Sequence, residues 1–155
     1  MEAKRADQLA DSLEQLVFKG EYEDGQRLDG RCAAVRMTDE ALAQLADAND
    51  RCRTAGERAD ATGYYEENAA FHQLIYRGAT NTFLQGETMR LQNRLQPYRR
   101  VQLRFRGRMS QSLAEHDAIV EALRAGDGEL AANTLRSHVT VQGEKFQQLM
   151  ASLKQ

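Results

Sequence analysis

The sequence has little of what sheet-based or disulfide-stabilised proteins need. Proline occurs once, at Pro97, and no run of β-branched and aromatic residues alternates with polar ones, so strand signals are nearly absent. The two cysteines, Cys32 and Cys52, make neither a redox nor a zinc motif, and two cysteines give no disulfide framework. We therefore expect reduced thiols in a cytoplasmic protein with little or no sheet.

Excess charge and long apolar runs are also missing. The formal net charge of −2 argues against a protein that coats nucleic acid or binds membranes through a polybasic surface. No apolar run approaches the roughly 18 residues that a membrane span needs, and Met1 to Asp7 opens no signal-peptide stretch. With 155 residues, of which 41% are hydrophobic, the chain predicts one soluble domain with its own core.

What the sequence does have is helical periodicity along most of its length. Helices are predicted at about residues 4–19, 38–56, 62–77, 81–104, 112–124 and 129–153, with a short helical piece at 32–36. Pro97 is expected to kink or divide the helix at 81–104, and residues 106–108 are expected to form a loop. The predicted architecture is an all-α, antiparallel helical bundle.

The chain has three histidines, His72, His116 and His138, and each lies in a predicted helix beside apolar core positions. Asn68 precedes His72 by four residues, so the two side chains share a helix face. One oxygen donor and three imidazoles form a workable ligand set for a single divalent metal ion, and neutral imidazole suits zinc, nickel and related ions. The alternative is that the histidines are buried polar residues, hydrogen-bonded within a helical core.

Four motifs together resemble the FCD effector-binding domain of GntR-type transcription regulators, in the FadR-like branch. They are Met37-Thr38-Asp39-Glu40, Asn68-x-x-Phe71-His72-x-x-Ile75-Tyr76, Glu115-His116-x-x-Ile119-x-x-Ala122-Leu123, and Gly126-Asp127 followed by Leu135-Arg136-x-His138-Val139. The resemblance divides the chain into residues 31–155, a helical effector-binding domain, and residues 1–30, a remnant of a DNA-binding domain. It implies a helical fold that encloses a ligand cavity.

In regulators that this chain resembles, an acidic residue and three histidines often bind a metal, and a small carboxylate effector completes the coordination. By position, the resemblance implies Asn68, His72, His116 and His138 as ligands of a divalent ion, most readily zinc or nickel. Asn68 stands where many relatives have Asp. A neutral ligand lowers metal affinity and leaves the ion its full positive charge, which favours an anionic effector.

Residues 1–30 resemble only the beginning of the winged helix-turn-helix of this family. Ala6 to Leu13, Phe18 to Glu21 and Gly25 to Leu28 match its opening helix and turn. The sequence after Leu28 has no second helix, recognition helix or wing, and a recognition helix is what reads bases in the major groove. Operator DNA is the expected partner of an intact regulator, whereas this polypeptide is expected to show no specific operator binding.

Between Glu87 and Glu115 the chain has seven arginines and no acidic residue. One interpretation is a solvated basic face that pairs with acidic helices. The other is that one or two guanidinium groups turn inward and bind the effector carboxylate, because guanidinium and carboxylate match bidentately. Arg94 and Arg99 flank Pro97-Tyr98 and are the two arginines predicted to contact the effector.

Two functions fit these residues. The first is a non-enzymatic sensor domain in which metal and carboxylate binding shift helix packing, within a homodimer that matches a near-palindromic operator. The second is a metal-dependent hydrolase in which the three-histidine centre activates water. No general base is evident from spacing, because Glu115 and Asp117 adjoin His116 and sequence neighbours point to different sides of a helix. We therefore expect the sensor.

Overall fold

The computed structural model describes residues 31–153. Within this range the chain forms five long helices: α1 (Asp39–Glu57), α2 (Ala61–Gly78), α3 (Thr82–Gln102), α4 (Arg108–Arg124) and α5 (Gly128–Leu153). A shorter helical segment at residues 31–36 precedes α1, and the described residues include no strand. The prediction of an all-α bundle is confirmed. The predicted helix at 4–19 and the partial winged helix-turn-helix lie outside the described residues.

The helix ends are set by residues that the sequence provides. Thr38 accepts a hydrogen bond from the Ala41 N–H at 3.2 Å and begins α1, and Asp60 accepts one from the Gly63 N–H at 2.9 Å and begins α2. Gly107, with a φ of 77°, precedes α4, and this left-handed conformation favours glycine. The connections between the five helices are three to five residues long, as is common between antiparallel neighbours, and α1 packs against α2, α2 against α3, and α4 against α5.

One predicted boundary differs from the structure, and at Pro97 one of the two predicted outcomes, division of the helix, does not occur. Pro97 lies inside one continuous α3, so it does not divide the helix. Proline removes a single backbone donor, and the other hydrogen bonds of α3 carry the helix past it. Helix α4 begins at Arg108, one turn before the predicted start at Ser112, because Gly107 turns the chain directly into helix. This earlier start brings Arg108 onto α4, where it is buried.

The apolar core joins the segment at 31–36 with α1, α2, α4 and α5. Its buried members are Ala33, Leu45, Ala48, Phe71, Ile75, Ile119, Val120, Ala122, Leu123, Ala131 and Leu135. Helix α3 packs against α2 and α5, but among its described side chains the buried ones are polar: Thr88, Gln92, Arg99 and Gln102. Steps of four, seven and three residues place these four on one helix face. The bundle therefore has an apolar core and one polar wall.

Candidate metal centre and effector site

The three histidines come from three different helices and meet in the interior of the bundle. His72 on α2, His116 on α4 and His138 on α5 are each at most 1% exposed, and one ring nitrogen of each lies within 4.8 Å of the other two. The Nε2 atoms of His72 and His138 are 3.1 Å apart. Two imidazole nitrogens bound to one ion at about 2.1 Å lie roughly 3.0–3.4 Å from each other, so this spacing fits a shared metal.

The fourth predicted ligand, Asn68, is buried one helical turn before His72, on the same face of α2. Its side-chain oxygen Oδ1 has no hydrogen-bond partner, and neither does His116 Nε2. Each histidine does have at least one partner, as a hydrogen-bonded core would require. That alternative leaves the Asn68 oxygen and the His116 nitrogen unexplained, because buried polar atoms normally find partners. Both atoms are donors that a divalent ion accepts, so the residues present fit a metal.

Burial sets the protonation of the cluster. Burial lowers the pKa of His72 well below its ordinary value of 6.5, and the positive charges of His138 and Arg99 lower it further. Burial is also the main cause of the lowered pKa of His116, with additional contributions from His138, Arg99 and Arg108. The rings are therefore neutral at neutral pH, and a neutral imidazole presents the lone pair that a metal requires.

His138 has a carboxylate partner on its other ring nitrogen. Its Nδ1 lies 2.5 Å from Oε2 of Glu115, and Nη1 of the buried Arg108 lies 3.5 Å from the same oxygen. Burial raises the pKa of Glu115, and Arg108 acts against that rise. Burial lowers the pKa of His138, and Arg108 lowers it further, whereas the Glu115 carboxylate acts in the opposite direction.

His116 has a partner of another kind. Its Nδ1 lies 3.3 Å from Oδ1 of Asn49 on α1. The Asn49 amide in turn donates to Oδ1 of Asp117 at 2.7 Å, and Arg53 donates to the same carboxylate oxygen at 2.8 Å. Asn49 holds the ring from one side and is itself held by an ion pair between α1 and α4.

Sequence reasoning missed these partners. It treated Glu115 and Asp117 only as neighbours of His116, whereas Glu115 contacts His138 on another helix and Asp117 reaches His116 through Asn49. The available signal was a histidine with an acidic residue on each side in a helix that the chain was predicted to bury. Which helix each carboxylate meets depends on packing between α4 and its neighbours.

A small cavity of about 10 Å³ lies beside the cluster, which is roughly the space that one water molecule needs. It is lined by Asn68, Arg99, Gln102, Leu103, Arg108 and Ser112. Arg99 is 6% exposed, and neither Nη1 nor Nη2 of its guanidinium has a hydrogen-bond partner. A buried cation without a partner is costly, and an anion is the kind of group that would satisfy these two nitrogen atoms.

The two arginines predicted to contact the effector have different environments. Arg99 lines the cavity, whereas Arg94 is exposed on α3, and that exposure gives an effector contact at Arg94 no support. Of the seven arginines in the run, Arg99 and Arg108 are buried and the other five are exposed. The prediction of a solvated basic face thus fits five of these arginines, and the prediction of guanidinium groups that turn inward fits two.

The described helices thus hold a buried cluster of three histidines, and near it a small cavity with a buried guanidinium in its wall. The FCD domain profile matches residues 28–141, and the chain belongs to the FCD domain family. The structure of E. coli McbR/YncC, a GntR-family regulator, aligns with a TM-score of 0.70 and 19% identity, over 94% of this chain and 67% of that one. Among curated proteins no sequence matches.

The family and the fold together point to the effector-binding domain of a transcription regulator rather than to an enzyme. In the part of the chain that the structure describes, no helix is both long and apolar enough to cross a lipid bilayer. The predicted division of the chain after residue 30 stays a prediction.

Proposed function

We propose that the chain senses a small carboxylate for a DNA-binding transcription regulator, using a divalent ion held by Asn68, His72, His116 and His138. Zinc and nickel are the ions that the donor set suits best. One observation carries the proposal: three buried, neutral imidazoles converge within 4.8 Å, and the buried oxygen of Asn68, one helical turn before His72, lacks a partner.

The charges around the cavity favour an anionic effector. Asn68 is a neutral ligand, so it cancels none of the charge of a divalent ion. Arg99 adds a second positive charge at the cavity wall, and none of the residues that line the cavity is acidic. A carboxylate offers two oxygens, one for the ion and one for the guanidinium. We therefore assign the effector contact to Arg99.

The size of the cavity links effector binding to a change in packing. A volume of about 10 Å³ holds a water molecule but no carboxylate. An effector must therefore displace the wall formed by α3, which meets the bundle through polar residues and packs against α2 and α5. In an intact homodimeric regulator, a shift of this helix would change the arrangement of the DNA-binding heads. That coupling is the sensing event we propose.

A metal-dependent hydrolase is the competing function, because a three-histidine centre leaves coordination positions for water. Hydrolysis also needs a general base within reach of that water. The one carboxylate that contacts a histidine of the cluster, among the described residues, is Glu115, and it lies on Nδ1 of His138 rather than in the cavity lining. The site therefore favours ligand binding over turnover.

The test uses the full chain purified without chelator. Elemental analysis is expected to find a divalent ion at up to one equivalent, and zinc or nickel added to stripped protein is expected to raise Tm. A panel of mono-, di- and tricarboxylates should raise Tm further only when the metal is present. Failure to bind any divalent ion contradicts the metal site. Hydrolysis of a small ester, lactone or amide that stops with chelator would favour the enzyme instead.

A further inference from the structure

Each of two histidines in the cluster uses one ring nitrogen for a protein partner and leaves the other for the centre. For His138 the partner is Glu115, which lies 2.5 Å from Nδ1, while Nε2 lies 3.1 Å from His72 Nε2. For His116 the partner is Asn49 at Nδ1, and Nε2 has none. The two rings are therefore oriented alike: Nδ1 contacts the protein partner, and Nε2 is left for the centre of the histidine cluster.

The nature of the partner decides which nitrogen carries the hydrogen. A carboxylate oxygen only accepts, so the short contact with Glu115 places the hydrogen on Nδ1 of His138 and the lone pair on Nε2. The Asn49 side chain is oriented in the same way, since its amide nitrogen donates to Asp117 and its oxygen is left to accept from His116. In both rings the lone pair points to the place where an ion would bind.

We propose that Glu115 is a positioning residue of the metal centre. Its carboxylate fixes the ring orientation and tautomer of His138, and it supplies, one hydrogen bond from the ion, the negative charge that Asn68 does not bring. A carboxylate behind a ligating histidine makes the imidazole a stronger donor, and such partners commonly change metal affinity by about 10- to 100-fold. This role rests on the proposed function, because it requires that the cluster binds a metal.

A purely structural role for Glu115 is the competing explanation, since Arg108 also contacts it. The two contacts differ: Glu115 Oε2 is 2.5 Å from His138 Nδ1 and 3.5 Å from Arg108 Nη1. If the Glu115–Arg108 ion pair were what matters, removing either partner would have the same effect on the centre. If the contact with His138 matters, loss of Arg108 frees the carboxylate from a cation and strengthens its effect on the ring.

The experiment measures affinity for Co²⁺ and Zn²⁺ at fixed pH, by competition with a chromophoric chelator, together with the visible spectrum of the Co²⁺ form. Glu115→Gln is expected to bind 10- to 100-fold more weakly than the wild type, with a changed Co²⁺ band. Glu115→Asp retains the charge and should recover part of that loss. Glu121→Gln is the matched control, because Glu121 is an exposed glutamate on the same helix, and it should bind as the wild type does.

Arg108→Met separates the two explanations and still does so if Glu115→Gln does not fold. It is expected to bind Co²⁺ more tightly than the wild type. A loss of Co²⁺ affinity of tenfold or more in Arg108→Met overturns the proposal in favour of a structural ion pair. Wild-type affinity and an unchanged Co²⁺ spectrum in Glu115→Gln also overturn it, while the metal site itself stands. A wild-type chain that binds no Co²⁺ or Zn²⁺ instead removes the proposed function, and this inference with it.

Discussion

The two sides of the histidine cluster differ in how well their polar groups are satisfied. On the outer side, Nδ1 of His138 and Nδ1 of His116 have protein partners, and each partner is held in turn by a charged group. Elsewhere in the cluster and in the cavity wall, Asn68 Oδ1, His72 Nδ1, His116 Nε2 and both Nη atoms of Arg99 have none. The Nδ1 contacts of His116 and His138 are therefore satisfied, whereas these other buried atoms are not.

The satisfied polar atoms have their partners from the protein itself, whereas the unsatisfied ones are atoms for which a bound ligand would be the partner. A buried polar group without a partner costs about 1–3 kcal/mol, and a charged one costs more. Several such groups at one cavity are a persistent cost in the isolated chain. If the proposed function holds, a divalent ion removes part of that cost at Asn68 and His116, and an anion removes part of it at Arg99. The outer side would gain nothing from either ligand, so it serves as the scaffold.

The largest effect is expected from removing one of the residues that are proposed to bind the metal. His72→Ala takes away one imidazole and leaves too few donors at the centre, so affinity for Zn²⁺ or Ni²⁺ should fall by more than about 100-fold. Competition with a chromophoric chelator measures this loss. Gln73→Ala, at the adjacent position of α2, is the control and should retain affinity. Equal affinity in the two variants would show that the metal binds elsewhere.

The next effect concerns the anion. Arg99→Met keeps the length of the side chain and removes the unpartnered charge, so stabilisation by carboxylates should be lost while the ligand-free chain is no less stable. Arg94→Met is the matched control, because Arg94 is exposed on the same helix. Thermal unfolding of zinc-loaded protein, with and without carboxylates, measures both quantities. A carboxylate response that survives in Arg99→Met and fails in Arg94→Met would reverse the assignment.

Acid should destabilise the metal-free chain through the cluster. The pKa values of His72 and His116 lie below 6.5 in the folded state, so below pH 6.5 the unfolded chain binds protons that the folded chain does not. Stability is therefore full above 6.5 and falls as the pH drops toward the folded-state pKa. The slope approaches about 1.4 kcal/mol per pH unit for each histidine.

Urea unfolding of metal-free protein at pH 7.5, 6.5 and 5.5 measures this slope. A His116→Gln variant that folds should show a shallower fall, because one of the titrating groups is gone. An equal slope in the variant would mean that other groups, such as carboxylates, cause the loss of stability at low pH.

The sequence predicts some parts of this site and not others, on both the satisfied and the unsatisfied side. Helix positions, the histidines and Asn68 follow from periodicity and motif spacing, because these are local properties of the chain. The choice between Arg94 and Arg99 is different, since it depends on the rotation of α3 against the bundle. The contact between Glu115 and His138 depends on how α4 packs on α5, which no spacing along one helix encodes.

One sequence signal for the cavity side was available and would have favoured Arg99. Thr88, Gln92, Arg99 and Gln102 occupy a single face of the predicted helix, and the structure buries that face. A polar face that turns inward is unusual for a bundle helix and typical of a ligand-lined wall. Arg94 does not belong to it, and its side chain is exposed.

The smallest effect, and the one that tests the balance between the two ligands, comes from Asn68→Asp. A carboxylate at this position adds a negative charge to the unsatisfied side, next to the metal and within the cavity lining. Metal affinity should rise by roughly tenfold, which corresponds to about 1.4 kcal/mol, because the new ligand carries charge. Affinity of the metal-loaded chain for a carboxylate should fall for the same reason.

The opposite signs of these two changes are what make the test specific. Chelator competition measures the metal, and isothermal titration of metal-loaded protein measures the carboxylate. Asn133→Asp places the same charge at an exposed position of α5 and should change neither quantity, since solvent screens it. If Asn68→Asp strengthens metal and carboxylate binding together, the anion does not share the charge environment of the ion, and the two ligands occupy separate sites.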